Sequence, residues 1–378
     1  MAVEERRSSG KEILDLTVSN PTLAGLDYPR AELERALAEG STRPYHPSPL
    51  GLHDTRSAIA EFLSSDDDVV SPEDIVVTAS TSEAYGFLFK LLCDRGESVL
   101  THTPEYPLLD QLAMLEGIRL RHFPLEYISG APRPWRIDAD EIRKGLVPDV
   151  RVIVVIHPNN PTGSFVSSAE MIMLSHACGD EIALISDEVF AQYILHDSHE
   201  RAGSASSLKD GLVFSLGGLA KSAGLPHWKL GWIRLGGDST LRSRARQALE
   251  TIADAYLSVS TPIQIAAITV LQLAPAIREQ ILRRLRTNLE TIARITSGTR
   301  SIEALPVEGG WSVVLRLPAI STDEELAIGL LESCGVLAHP GYLYEFDRDG
   351  YLVLSLLTSE HELREGVTRL SDYVTRLA

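Results

Sequence analysis

Cysteine is scarce in this chain. Cys93, Cys178 and Cys334 are scattered through 378 residues. Their spacing fits no zinc-ligand pattern and their odd number no disulfide framework, so neither a structural metal nor a cross-linked scaffold is expected. Positive charge is also short. Lys and Arg number 35 against 52 Asp and Glu, a formal net charge of −17. A surface of that sign argues against nucleic acid and anionic membranes, although a local pocket can still take a small anion. No uninterrupted apolar run is long enough to span a bilayer. The opening residues, MAVEERRSSGKE, lack the apolar stretch of a signal peptide. A cytoplasmic protein is the expectation. There is no internal repeat and no low-complexity tract.

What is present is ample apolar material, 44% of the residues. That is enough for a substantial core, and the length suggests two domains, or one large α/β domain with an appendage. Ile75–Thr78, Val152–Ile156, Ile182–Ser186 and Leu212–Leu216 read as strands. The Val152 and Ile182 runs lack polar alternation, as strands buried on both faces of a parallel sheet do. Helical patterns lie between them, giving a βαβ rhythm. The expected fold is α/β: a three-layer large domain on a mostly parallel sheet, with a smaller α+β domain. The last third reads as helix over Ser239–Leu273 and Ala276–Thr296, with Pro275 separating the two. A strand follows at Trp311–Leu317, after Gly309-Gly310. A final helix is capped by Ser359 and Glu362, with Leu363, Val367, Leu370, Val374 and Leu377 on one face. The division expected is 1–44 as an arm and part of the small domain, 45–279 as the large domain and 280–378 as the small one.

Five polar motifs each follow a strand candidate, where ligands bind in an open α/β sheet. Thr78-Ala-Ser-Thr-Ser-Glu-Ala84 offers hydroxyls and free N–H groups at a helix start, an anion site or an ordinary cap. Pro104-Glu-Tyr106-Pro carries an aromatic that could stack on a flat ring or simply pack on the surface. His157-Pro-Asn-Asn160-Pro-Thr-Gly163 holds an Asn side chain rigidly between turn residues. Asp187-Glu188 puts a carboxylate at a buried strand end, which is costly without a positive partner unless it caps a helix. Gly217-Gly-Leu-Ala-Lys221 sets a lysine among small residues, where desolvation would lower its pKa; the plain alternative is a solvated loop lysine. Ala220 precedes that lysine, so the P-loop pattern fails.

Taken in order, these motifs resemble the class I/II aminotransferases, the fold-type-I enzymes that use pyridoxal 5′-phosphate (PLP). The likeness is strong from Tyr45 to about Gln264. It implies that Lys221 carries the cofactor as an imine, that Asp187 pairs with the ring nitrogen, with a depressed pKa from that charge, and that Asn160 binds the phenolic oxygen. It implies Tyr106 as the stacking aromatic and Ser80, Thr81 and Ser82 as the phosphate loop. Tyr45 resembles the tyrosine that reaches the phosphate of a partner subunit, and Thr261 lies in a segment that usually crosses the dimer interface. A homodimer with shared active sites follows, acting on a small amino substrate.

The departures are as informative. Lys229 stands where the family has a phosphate-binding arginine, and His227 replaces a nearby glycine. Phe190 replaces a tyrosine that serves the phenolic oxygen, and Tyr193 is the neighbouring hydroxyl. Val353 occupies the place of the arginine that clamps the substrate α-carboxylate. Arg348 is the first substitute candidate for that clamp, Arg316 the second. The leading expectation is transamination between an amino donor and an oxo acid, on a specialised rather than common amino acid. A PLP lyase, decarboxylase or cyclase would need the same core, and a PLP-fold binding protein would not need Lys221, Asp187 and Asn160 together.

Overall fold

The computed structural model describes residues 2–196, 198–299 and 301–377. Fourteen strands occur among them. In chain order they are β1 (Leu14–Asp15), β2 (Ile75–Thr78), β3 (Ser98–Thr103), β4 (Arg119–Tyr127), β5 (Trp135–Ile137), β6 (Val150–Ile156) and β7 (Ala183–Asp187). The rest are β8 (Leu212–Gly218), β9 (Gly231–Gly237), β10 (Glu303–Ala304), β11 (Ser312–Arg316), β12 (Val336–Leu337), β13 (His339–Pro340) and β14 (Tyr351–Ser355).

Eight of these form one sheet in the order β2-β9-β8-β7-β6-β3-β4-β5. β4, β3, β6, β7 and β8 run parallel in turn, while β9 is antiparallel to both β8 and β2, and β5 is antiparallel to β4. The apolar run in β6 shows why polar alternation is missing. Val152 and Val154 pack with Ile185, Phe214 and Ile233 on one face, against Leu88 and Leu249 of flanking helices. Ile153 and Val155 pack on the other face with Leu184, Met171 and Leu174. Both faces are covered, so both sets of alternating side chains are apolar. The expected α/β architecture is therefore present.

A four-stranded antiparallel sheet, β10-β11-β14-β13, and the parallel pair β1–β12 make a second layer system. The N-terminal segment is stitched to it: Leu14 and Leu16 donate backbone N–H groups to Gly335 and Leu337, and Ser355 donates its N–H to Leu16. The C-terminal helix, Glu360–Leu377, covers this part with Leu363, Val367, Leu370 and Val374 buried. Its expected cap is formed, with Ser359 Oγ accepting from the Glu362 N–H at 3.3 Å. Leu377 is 46% exposed, so the apolar stripe ends one turn earlier than its spacing suggests.

The helix expectation around Pro275 is corrected. One helix spans Ser239–Tyr256 and a second runs unbroken from Thr261 to Thr296, with Pro275 inside it. The break falls instead at Leu257–Ser260, where Leu257 takes φ 66°. An interior proline costs a helix about 3 kcal/mol. Packing offsets that cost, because the buried stripe continues on both sides of it: Val270, Leu271 and Ala274 before, Ile277, Ile281 and Leu285 after. The two halves join two different cores, the first against Ile59, Val77 and Trp232, the second against Leu16, Trp311 and Leu354. By length and composition this helix could cross a membrane, but its apolar stripe is spent inside the protein.

Candidate active site

Strand direction places the site. The carboxyl ends of β2, β3, β6, β7 and β8 lie at one edge of the large sheet, and β9, running the other way, starts there. The residues just beyond those ends, and just before β9, therefore meet. A cavity of about 340 Å³ opens at that edge. Its walls include Ser80, Thr81, Ser82, Tyr106, Asn160, Asp187, Lys221 and Lys229, eight of the nine residues expected to bind a cofactor. Tyr45 is the exception: it is 59% exposed and is not among the lining residues.

Two glycines make the convergence possible. A Cβ at Gly217 would lie 2.4 Å from the indole nitrogen of Trp232, so β8 and β9 can abut only with glycine there. A Cβ at Gly231 would come within 3.0 Å of the Ser80 carbonyl carbon. That approach brings Lys229, two residues earlier, to the Ser80 end of the cavity.

Ser80 caps the helix Thr81–Leu92, its Oγ accepting from the Glu83 N–H at 3.1 Å. Glu83 turns its carboxylate to the Ala79 N–H at 2.6 Å. The capping spacing seen in the sequence is thus real, and it coexists with a helix N-terminus aimed at the cavity wall. Lys229 is exposed, in a left-handed conformation at φ 50°, and has no hydrogen-bond or ion-pair partner among the described residues.

Asp187 ends β7. Its Oδ1 accepts from the Val189 N–H at 3.2 Å and its Oδ2 from the Tyr85 hydroxyl at 3.0 Å. Burial raises its pKa above the ordinary value; the Val189 and Tyr85 hydrogen bonds and the charge of Lys221 act against that. The burial of the chain's own fold thus pushes this carboxyl up. A buried carboxyl held up in this way gains by meeting a cation.

Lys221 lies in the short helix Leu219–Ser222. Burial lowers its pKa to about 8, against an opposing pull from Asp187. Its Nζ sits 4.5 Å from the Trp311 ring centroid and 5.1 Å from that of Phe190. Its carbonyl accepts from the Tyr193 hydroxyl at 2.6 Å. Tyr193 therefore anchors the backbone beneath the lysine and does not face the cavity, where Phe190 contributes only an apolar wall. Asn160 Oδ1 accepts from Ser312 Oγ at 3.2 Å, tying the large sheet to β11.

The expected substitutes for a carboxylate clamp are corrected. Val353 does line the cavity, but neither Arg348 nor Arg316 does. Arg348 gives its guanidinium to the Tyr351 hydroxyl, at 2.8 and 3.2 Å, and both arginines line a separate open cleft. Arg316 is paired with Glu303. It stands opposite Tyr351, two residues along β14 from Val353 and so about 7 Å away along the strand. Among the described residues no arginine lines the cavity. Sequence reasoning missed Tyr85, Trp311, His339 and Tyr344, which also line it. Only Trp311 had a local signal, its place after Gly309-Gly310.

A mostly parallel sheet covered on both faces, with a lysine and a carboxylate lining a cavity at its strand ends, is the site arrangement of an α/β enzyme. The comparisons agree with that class. Residues 11–370 match the family described as aminotransferase class I and II, and the chain belongs to that family. It is 26% identical to an aspartate/prephenate aminotransferase of Thermus thermophilus, over 98% of this chain and 94% of that one. It is 29% identical to a glutamate-pyruvate aminotransferase of Escherichia coli over 69% of this chain and 64% of the relative. In fold it is similar to an alanine aminotransferase of Pyrococcus furiosus, with a TM-score of 0.89, 23% identity and coverage of 99% and 95% of the two chains.

Proposed function

We propose that this enzyme is a PLP-dependent aminotransferase in which Lys221 holds the cofactor covalently. The observation that carries the reading is that Lys221 and Asp187 line one cavity together with Ser80, Thr81, Ser82 and Lys229. That donor set fits the cofactor. Asp187 would face the ring nitrogen, where a cation relieves its burial. Asn160 would serve the phenolic oxygen and Tyr106 the ring face. The three hydroxyl residues and the unpaired Lys229 would take the phosphate, with point-charge rather than forked recognition. PLP, when bound, supplies an electron sink for the charge left on the substrate carbon. Lys221 does the proton work. Once freed from the cofactor by substrate, its amine, whose pKa burial lowers to about 8, would be suited to move a proton at the reacting carbon. Phe190 and Trp311 pack their rings against its Nζ, and burial there lowers its pKa.

The reading extends to a cytoplasmic homodimer in which Tyr45 serves the partner's site, and to a division near residues 45 and 280. That Val353 takes the place of the clamping arginine, and that no arginine among the described residues lines the cavity, supports a specialised amino acid as substrate. The test is amino transfer from a panel of donors to oxo acids, followed by the appearance of the new amino acid. Ammonia release without transfer would overturn the aminotransferase reading. Efficient turnover of aspartate or alanine would overturn the specialised substrate.

A further inference from the structure

Two lysines and one histidine line the cavity among the described residues: Lys221, Lys229 and His339. Lys221 is committed to the cofactor, and Lys229 stands at the Ser80 end. His339 stands elsewhere. It is the direct cross-strand partner of Val353 in the antiparallel pair β13–β14. Directly opposed residues in such a pair share a face of the sheet, with Cβ atoms about 4.5–5.5 Å apart. The side chain beside Val353 on the cavity wall is therefore an imidazole.

Its environment prepares it for an anion. Nδ1 lies 2.9 Å from the Tyr344 hydroxyl. If that hydroxyl donates, the ring proton of the neutral form sits on Nε2. Nε2 has no partner among the described residues. Burial lowers the pKa of His339 below its ordinary value, and the charge of Asp15, on β1, pulls it back up. The other groups around it are accounted for. Tyr344 comes from the turn Gly341–Tyr344, β14 presents Val353, and Lys221 and Asp187 stand on the same cavity. Asp323, at the start of the helix Asp323–Cys334 that packs on β13, is engaged by the N–H groups of Gly350 and Tyr351 at 2.6 and 3.0 Å.

We propose that His339 is the specificity-determining residue that receives the substrate's carboxylate, an assignment that rests on the aminotransferase reading above. A carboxylate in a partly dry cavity needs a cation or convergent donors. Val353 supplies neither, and His339 supplies one or the other according to its protonation. A carboxylate placed against Nε2 favours the charged ring, so binding near neutral pH takes up a proton. Affinity for the carboxylate then falls as pH rises.

The experiment measures binding of succinate and of propionate, which carry no amine, to the PLP-loaded enzyme by calorimetry from pH 6 to 8.5, in buffers of different ionisation enthalpy. The expected result is proton uptake on binding and an affinity that drops by up to about tenfold per pH unit. His339→Leu should weaken binding at pH 6 by about tenfold or more, abolish the pH slope, and leave the cofactor's spectrum and affinity unchanged. His339→Leu combined with Val353→Arg should regain binding without the slope, since the cation has moved across the strand pair. Equal affinity in His339→Leu, or a slope that survives it, overturns the assignment. If the double variant does not fold, the wild-type slope and the single variant still decide. Carboxylate binding that depends on His339 without any amino transfer would sink the aminotransferase reading instead. Amino transfer with an unchanged KM in His339→Leu would sink only the assignment to His339.

Discussion

The Tyr85 hydroxyl donates to Asp187 Oδ2 at 3.0 Å, joining a helix and a strand end 102 residues apart in the chain. The contact leaves Asp187 with each carboxylate oxygen engaged, Oδ1 on the Val189 N–H and Oδ2 on Tyr85. It also stabilises the ionised form of a carboxyl that burial pushes up. Tyr85→Phe is expected to cost about 1.5–3 kcal/mol of this support, a hydrogen bond to a charged group. Turnover should fall about tenfold while most of the cofactor is retained, by absorbance after gel filtration. Asp187→Ala should keep some cofactor and lose most turnover. Near-normal rates in both variants would show that Asp187 does not face the ring.

Lys221 gives a stability signature independent of activity. Its pKa is lowered from 10.5 to about 8 by burial. The unfolded chain therefore holds this proton more tightly than the fold does. Below pH 8 the buried charge costs stability, and the cost disappears as pH rises from about 8 to 10.5. Lys221→Met should stabilise the cofactor-free protein at pH 7, and the advantage should shrink through that window in a thermal unfolding series. The same substitution should abolish the adduct that borohydride traps. A reducible adduct on another lysine would reject the assignment.

Lys229 is unpaired, exposed and placed at the Ser80 end of the cavity. Lys229→Ala should weaken PLP binding by about 1–3 kcal/mol, the scale for a hydrogen bond to a charged group. Lys229→Arg should be tolerated, because the guanidinium reaches phosphate with two donors. Equilibrium dialysis of the cofactor decides, and an unchanged affinity in the alanine variant would show that Lys229 points elsewhere.

The contrast between these residues explains what sequence reading could reach. Lys221, Asp187, Asn160 and Ser80 each follow a strand whose apolar run is visible locally, and the sheet rule places such residues together. Tyr85, His339 and Tyr344 carry no such local mark. Tyr85 depends on which helix face meets β7, and His339 on the register of a two-residue strand with β14. Arg348 is five residues from Val353 in sequence, but it stands in the turn before β14 and lines a different cleft. Pro275 read as a break because local propensity disfavours it, and tertiary packing overrode that preference over two cores.

His122 connects the large sheet to the turn that carries Tyr344. Its Nε2 lies 3.2 Å from Glu105 Oε1 and 3.5 Å from Glu345 Oε2. Glu105 is buried, accepts from Thr101 Oγ1 at 2.8 Å and donates its N–H to the Tyr344 carbonyl at 3.0 Å. The hydrogen bond to Glu105 raises the pKa of His122, opposed by burial and helped by the charges of Glu105, Glu345 and Asp110. Burial raises the pKa of Glu105 despite His122. Both shifts act in the same direction. The His122 contribution is complete below its unfolded value of about 6.5 and is lost as pH climbs through the higher folded one. The Glu105 cost sets in as pH rises above its ordinary value of 4.5 and is complete once the higher folded value is passed. The contribution of this contact to thermal stability should therefore decline as pH rises above about 6.5, by about 1 kcal/mol or less, since His122 is partly exposed. His122→Gln should flatten that decline while leaving cofactor affinity unchanged. A decline of the same steepness in the variant would show that the contact between the two sheets is not what senses pH.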